Sequence, residues 1–310
     1  MKILYMGTPD FAVEPLKELL KNNYEVCGVV TQPDKPVGRK AILTPPPVKV
    51  IAENAGIKVY QPQTLKNGEG MEILRELEPD VVIVVAYGKI LPKDFLEYPE
   101  YGCINIHGSL LPAYRGAAPI QRCVLNGEKY AGVTSMQMDE GLDTGDMLLK
   151  AQTEIGENET SGELFDRVAL MGAELLIDTL EALQKGELKP EKQDDSKSNY
   201  AAMLQKTMSP VDWNKTAGEV HNQIRGLDPW PVALTYLDGK TLKLFRSSVS
   251  QTLSGGKAGE AVTLKDTFAV FCGDGKAVVI DEVQFEGKKR MKAVDFLRGH
   301  PLEKGFTFNS

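Results

Sequence analysis

Residues 81–86 read VVIVVA, a run of apolar side chains with no polar break. Successive residues of a strand face opposite sides, so such a run fits a strand covered on both faces, as parallel sheets are. Short runs of similar character flank it: KILYM at 2–6, VCGVV at 26–30, KVY at 58–60 and GCINIH at 102–107. Apolar residues between them recur at helical spacing, from Phe11 to Leu20, in VKVIAENA at 48–55, around 69–77, and in APIQRCVLN at 118–126. This alternation predicts a doubly wound, mainly parallel, Rossmann-like α/β domain. Such domains take their ligands outside the carboxyl ends of the strands. The first strand-to-helix turn, MGTPDFA, lacks G-x-G-x-x-G, which argues against a dinucleotide.

Beyond residue 130 the pattern changes. GVTSMQM (132–138) and GDMLLKAQTEI (145–155) read as strands joined by the acidic loop DEGLDT. A long amphipathic helix follows at 161–186, with Ser161 as the expected N-cap and Gly186 as its stop. Residues 188–207 are polar and aperiodic, a linker laid over a surface. From 208 to 310 come short strands with Gly/Asp turns, which predict a small OB-like β-barrel, and MKAVDFLRG reads as a terminal helix. The expected division is therefore 1–187, a linker at 188–207, and 208–310.

A net charge of −7 argues against a general nucleic-acid binder, but the charge is unevenly spread. Residues 206–310 carry 15 Lys and Arg against 12 Asp and Glu, whereas the first 205 carry 21 against 31. The second part could thus meet an anion, or both parts could be ordinary solvated surface. No apolar run approaches the roughly 18 residues a bilayer span needs, and the N-terminus lacks a signal-peptide core, so a cytoplasmic protein is expected, with no membrane contact. No two of the four cysteines have C-x-x-C spacing, and three histidines make a metal centre improbable. Cys103 is close in sequence to His107 but reads as a buried thiol rather than a nucleophile.

Within INIHGSLLPAYRGAAPI, Asn105 and His107 are two apart and so project to the same side of a strand, at its carboxyl end. An amide donor beside an imidazole suits acyl transfer, since both can stabilise an oxyanion and the imidazole can move a proton. A histidine satisfied inside the core is the competing reading. A carboxylate to orient the imidazole is available in MDEGLDTGDM, where glycines at 141 and 145 bracket Asp143 and permit a tight turn. Spacing does not choose between Asp139 and Asp143. The loop TQPDKPVGRKAILTPPPVKV holds Lys35, Arg39, Lys40 and Lys49 against one acid. It is longer than the usual ~2–6 residues of a βα connection, and reads as a phosphate contact or as a surface excursion.

Together INIHGSLLPAYRGAAPIQ, MGTPDFA, TQPDKPVGRK, DEGLDTGDML and IRGLDPWPVA resemble the methionyl-tRNA formyltransferase family, from the first strand into the C-terminal part. The resemblance implies transfer of the formyl group of 10-formyltetrahydrofolate, a cosubstrate rather than a tightly bound cofactor, to the α-amine of initiator methionyl-tRNA. It implies a catalytic set of Asn105, His107 and Asp143, and so favours Asp143 over Asp139. Ser109, Leu110, Leu111 and Pro112 would line the tetrahydrofolate site, beside a pterin-binding segment at 85–91. Arg39 and Lys40 would meet the tRNA, and 208–310 would be the tRNA-binding module. No metal and no obligate protein partner are implied. The lysine-rich linker is where the chain departs most from the family pattern.

Overall fold

β-branched and other apolar residues build the first sheet. The computed structural model describes residues 1–38, 40–66 and 68–308. In chain order the first elements are β1 (Lys2–Gly7), α1 (Val13–Lys21), β2 (Glu25–Val30), β3 (Lys35–Val37), β4 (Ile42–Thr44), α2 (Pro47–Asn54), β5 (Val59–Tyr60), α3 (Glu69–Leu77), β6 (Val81–Val85), α4 (Lys93–Glu97), β7 (Cys103–His107), α5 (Pro119–Leu125), β8 (Tyr130–Gln137), β9 (Met147–Glu154) and α6 (Ser161–Lys185). There follow α7 (Ala217–Gly226), β10 (Leu234–Leu237), β11 (Lys240–Ser254), β12 (Ala261–Thr263), β13 (Phe268–Phe271), β14 (Lys276–Phe285), β15 (Met291–Lys292) and α8 (Ala293–Gly299). The chain forms two compact units. The first comprises residues 1–116, 131–153 and 165–201; the second comprises 117–130, 154–164 and the chain from 202 onward.

The first unit is built on a seven-stranded sheet of order β5-β2-β1-β6-β7-β8-β9. Pairing is parallel from β5 to β7, and β8 runs antiparallel to β7. All five residues of β6 are buried, as the VVIVVA run requires. Each such side chain is worth about 1.5–3 kcal/mol when fully removed from water. The chain runs outward from β1 through β2 to β5, then returns to β6 on the other side of β1. This reversal is a topological switch point, where open α/β sheets leave a crevice at the strands' carboxyl ends. The long basic loop after β2 contains the short antiparallel hairpin β3–β4.

The second unit is an antiparallel sheet of order β10-β11-β14-β13-β12, with β15 added to β14. One apolar core beneath it joins Trp213, Val220 and Ile224 to Phe268, Ile280, Phe296 and Phe308. No helix is expected from the sequence at 217–226, yet α7 forms there with a complete capping box at Thr216 and Glu219. At the start of α6 the cap falls one residue earlier than expected. Thr160 Oγ1 accepts from Glu163 N (3.2 Å) while Glu163 Oε2 accepts from Thr160 N (2.9 Å). Ser161 Oγ donates instead to the Asp228 carbonyl at 2.8 Å. The charged residues of IRGLDPWPVA are likewise engaged within the unit: Arg225 Nη1 donates to the carbonyls of Gly156 and Glu159, each at 3.2 Å.

His221 sits in the second unit's interior, with Nδ1 2.9 Å from Ser247 Oγ and Nε2 3.0 Å from the Glu157 carbonyl. Burial lowers its pKa below the ordinary histidine value, the Glu157 carbonyl opposing and nearby Arg225 reinforcing the shift. The unfolded chain, with a pKa near 6.5, therefore binds the proton first as pH falls. Stability from this site is present above about pH 6.5 and is lost as pH drops toward the folded pKa. Both tryptophans, Trp213 and Trp230, belong to this unit, so their fluorescence follows its unfolding. The urea midpoint is expected to fall between about pH 7.5 and 5.5, and to fall less steeply in His221→Gln. Equal slopes in both proteins would show that another group governs this range.

Candidate active site

The carboxyl end of β7 lies beside β6 on one side and β8 on the other, next to the switch point. Asn105 pairs with Val84 of β6, and His107 with Thr134 of β8. Both side chains leave the strand on one face. They are nearly buried, at 8% and 7% exposure. Among the described residues no side chain or backbone group is hydrogen-bonded to the Asn105 amide, so its N–H groups are open to a ligand.

The His107 ring is held between two acceptors. Its Nε2 donates to the Tyr114 carbonyl at 3.0 Å, and its Nδ1 lies 3.8 Å from Asp143 Oδ1. The second separation is an ion-pair contact, longer than a hydrogen bond, and catalytic hydrogen bonds often tighten only when substrate is bound. The other carboxylate oxygen, Oδ2, accepts from Gly116 N at 2.8 Å, which fixes the Asp143 side chain against the loop that follows β7.

The turn that aims Asp143 differs from the one expected. The bracketing glycines do not supply a left-handed backbone; Asp143 itself adopts φ 53°, a conformation that Asp and Asn tolerate better than most residues. Gly145 is needed for space instead, because a Cβ there would meet the Gln137 carbonyl at 1.7 Å. Tyr114, which presents the carbonyl to His107, is also left-handed at φ 61°. Strained backbone on both sides of one imidazole is the kind of arrangement that a functional site retains.

Geometry separates the two candidate carboxylates. Asp139 Oδ1 accepts from Gly141 N (3.0 Å) and Thr144 Oγ1 (2.7 Å), so it caps its own exposed turn. Asp143 alone of the pair reaches His107. Cys103 is fully buried, and burial pushes its thiol up to about 12, which leaves almost no thiolate near neutral pH. Among the described residues no group of three or more His, Cys, Asp or Glu is placed to hold a metal ion, and no helix is long and apolar enough to cross a membrane.

Ser109, Leu110, Leu111 and Pro112 form the bend directly after His107. Ser109 Oγ donates to the Ala113 carbonyl at 2.7 Å, and Thr134 Oγ1 both donates to the Ser109 carbonyl (2.7 Å) and accepts from Leu111 N (3.1 Å). Ser109 and Leu111 are buried, each 1% exposed, while Leu110 and Pro112 are partly open. Arg39 lies outside the described residues. Lys40 is exposed at the tip of the β3–β4 hairpin. The other two lysines of that loop are committed: Lys35 Nζ donates to Gln32 Oε1 at 2.6 Å, and Lys49 Nζ pairs with both Asp34 oxygens at 3.0 Å.

Sequence reasoning missed Arg115, Gln193 and Asn199. Gln193 Nε2 donates to the carbonyls of Asp143 and Gly145, both at 2.8 Å. Arg115 Nε and Nη2 in turn donate to Gln193 Oε1, at 3.0 and 2.8 Å. The Tyr114 N–H donates to Asn199 Oδ1. Nothing in a polar, aperiodic segment announces such bonds; the only available signal was Arg115 inside the motif itself.

The formyl transferase family model matches residues 1–180, and the formyl transferase C-terminal domain model matches 203–301. A methionyl-tRNA formyltransferase of Citrifermentans bemidjiense is 52% identical over 98% of this chain and 95% of its own. That of Geobacter metallireducens is 52% identical over 98% and 97%, respectively. Among solved structures, a sugar 3N-formyl transferase in the presence of dTDP and 5-N-formyl-THF has a TM-score of 0.70 at 21% identity, covering 93% of this chain and 99% of the other. HypX from Aquifex aeolicus in complex with tetrahydrofolic acid has a TM-score of 0.65 at 20% identity, covering all of this chain and 51% of the other.

Proposed function

Because the chain belongs to the methionyl-tRNA formyltransferase family, we propose that it transfers the formyl group of 10-formyltetrahydrofolate to the α-amine of methionine on initiator methionyl-tRNA. The observation that carries this reading to specific atoms is the pairing of an unengaged Asn105 amide with a His107 ring set between the Tyr114 carbonyl and Asp143. No protein nucleophile is required, since the amine is itself competent. The amine attacks the formyl carbon, and the carbonyl oxygen becomes an oxyanion. Asn105 donates to that oxyanion, and His107 Nε2–H exchanges the Tyr114 carbonyl for it. Collapse of the tetrahedral intermediate breaks the bond to N10, which takes up the proton that the amine loses. Asp143 orients the imidazole from its Nδ1 side.

In this reading Ser109, Leu110, Leu111 and Pro112 face the tetrahydrofolate, with the partly open Leu110 and Pro112 as its contact surface. The proposed catalytic residues lie within 1–187, the connecting stretch 188–207 is bonded to the site through Gln193, and 208–310 hold the tRNA. Arg39 and Lys40 meet the acceptor end. The net excess of Lys and Arg beyond residue 205 supports a polyanionic acceptor over a small one.

The test offers initiator methionyl-tRNA, elongator methionyl-tRNA and a dTDP-linked amino sugar together in one reaction. Initiator tRNA is expected to take nearly all the formyl label, and a labelled sugar would overturn the reading. In the same competition Arg39→Ala is expected to narrow the preference for initiator over elongator tRNA by about tenfold, near the 1–3 kcal/mol scale of a specific contact. Unchanged discrimination would remove Arg39 from the acceptor site.

A further inference from the structure

We infer that Gln193 is a positioning residue for the formyl transfer, its side-chain amide tying the Asp143 loop to the Arg115 loop and so fixing both protein partners of His107. The inference rests on the roles proposed above for His107 and Asp143. Gln193 lies in the stretch read from sequence as a linker, yet its amide is wholly engaged at the site. Both N–H groups of Nε2 are used, one toward the Asp143 carbonyl and one toward the Gly145 carbonyl, each at 2.8 Å. Both acceptor positions of Oε1 are filled by the rigid fork of Arg115, at 3.0 and 2.8 Å.

The same segment is stitched to the two loops along its length. Glu191 exchanges backbone hydrogen bonds with Met147 at 2.8 and 2.9 Å. Arg115 N donates to the Asn199 carbonyl (3.0 Å), and Ala201 N donates to the Arg115 carbonyl (2.7 Å). The loops themselves meet through Gly116 N and Asp143 Oδ2. Asp143 and Tyr114 both sit in the left-handed region and belong to no helix or strand, so regular secondary structure does not hold them. Such conformations persist only where surrounding contacts over-determine them. The Gln193 side chain bonds to both loops at once. The alternative anchor, Asp195 on Arg115, has an 83% exposed side chain, and ion pairs so exposed contribute little.

The test uses the full chain as wild type, Gln193→Met, Gln193→Glu, Asp143→Asn and the Gln193→Met/Asp143→Asn double variant. Measured are kcat, the KM for each substrate, and single-turnover rates. Gln193→Met keeps the length of the side chain and removes its polar atoms; kcat is expected to fall about 10- to 100-fold, the scale of a small misplacement, with both KM values within about twofold. Gln193→Glu keeps the acceptor for Arg115 but sets a carboxylate against two carbonyl oxygens, and is expected to lose as much. If Gln193→Met does not fold, Gln193→Glu carries the test. In the Asp143→Asn background Gln193→Met is expected to add less than about twofold, because the group it positions no longer works. Wild-type kcat in either Gln193 variant, or the full loss repeated on top of Asp143→Asn, would overturn the inference. A wild type that transfers no formyl group, or an Asp143→Asn variant at full rate, would overturn the site reading and this inference with it.

Discussion

Replacing His107 with alanine is expected to lower turnover by about 10²–10⁴-fold, the usual contribution of a positioned acid–base group, while tRNA affinity stays within experimental error. The reasoning is local. His107 is the one described side chain that bridges the Tyr114 carbonyl and Asp143, and it stands on the face of β7 that also carries Asn105. Removing it takes one donor away from the nearly buried Tyr114 carbonyl, so folding must be checked beside rate. Asp143→Asn separates the two effects. It retains an oxygen for Gly116 N and removes only the charge opposite the imidazole. A large loss of kcat with an unchanged unfolding midpoint is expected there. An Asp143→Asn protein turning over at the wild-type rate would show that the 3.8 Å pair is structural.

Asn105→Ala should cost about 2.7–4 kcal/mol of transition-state stabilisation, or roughly 10²–10³ in kcat, with little effect on stability. Most buried amides are hydrogen-bonded within the protein, and truncating them destabilises the fold. The Asn105 amide has no such partner among the described residues, so its deletion is felt only when an oxyanion forms. KM for the folate is expected to remain near wild type, because the donor acts on a charge absent from the ground state. Asn105→Asp, of similar volume, is expected to be at least as damaging, since it sets a negative charge where one develops. A raised KM with unchanged kcat in Asn105→Ala would instead make this amide a ground-state contact.

Much of the first unit was legible because strand burial leaves a direct trace. The VVIVVA run announced β6, and period-two spacing is enough to place Asn105 and His107 on one face of β7. The strands of the second unit were equally plain, since Gly and Asp turns punctuate them. What the sequence concealed depends on contacts between distant segments. The choice of Asp143 over Asp139 turns on which carboxylate is consumed by its own turn, and Thr144 and Gly141 consume Asp139. Gln193 lies fifty residues from Asp143, and a polar residue in an aperiodic segment looks the same whether it faces water or a catalytic loop. The cap of α6 was displaced by one residue because Thr160 and Ser161 are both good caps; Ser161 was diverted to the Asp228 carbonyl. Helix α7 was hidden by a sequence in which the polar His221 and Arg225 face the interior of their unit rather than water, weakening the usual amphipathic signature.

The most direct measurement is a single-turnover reaction of the purified chain with 10-formyltetrahydrofolate labelled in the formyl group and initiator methionyl-tRNA. The predicted result is one label transferred per active site, recovered as N-formylmethionine after the tRNA is deacylated, with tetrahydrofolate formed in equal amount. Label released as free formate, or no label on the methionine while the folate stays bound, would contradict the assignment.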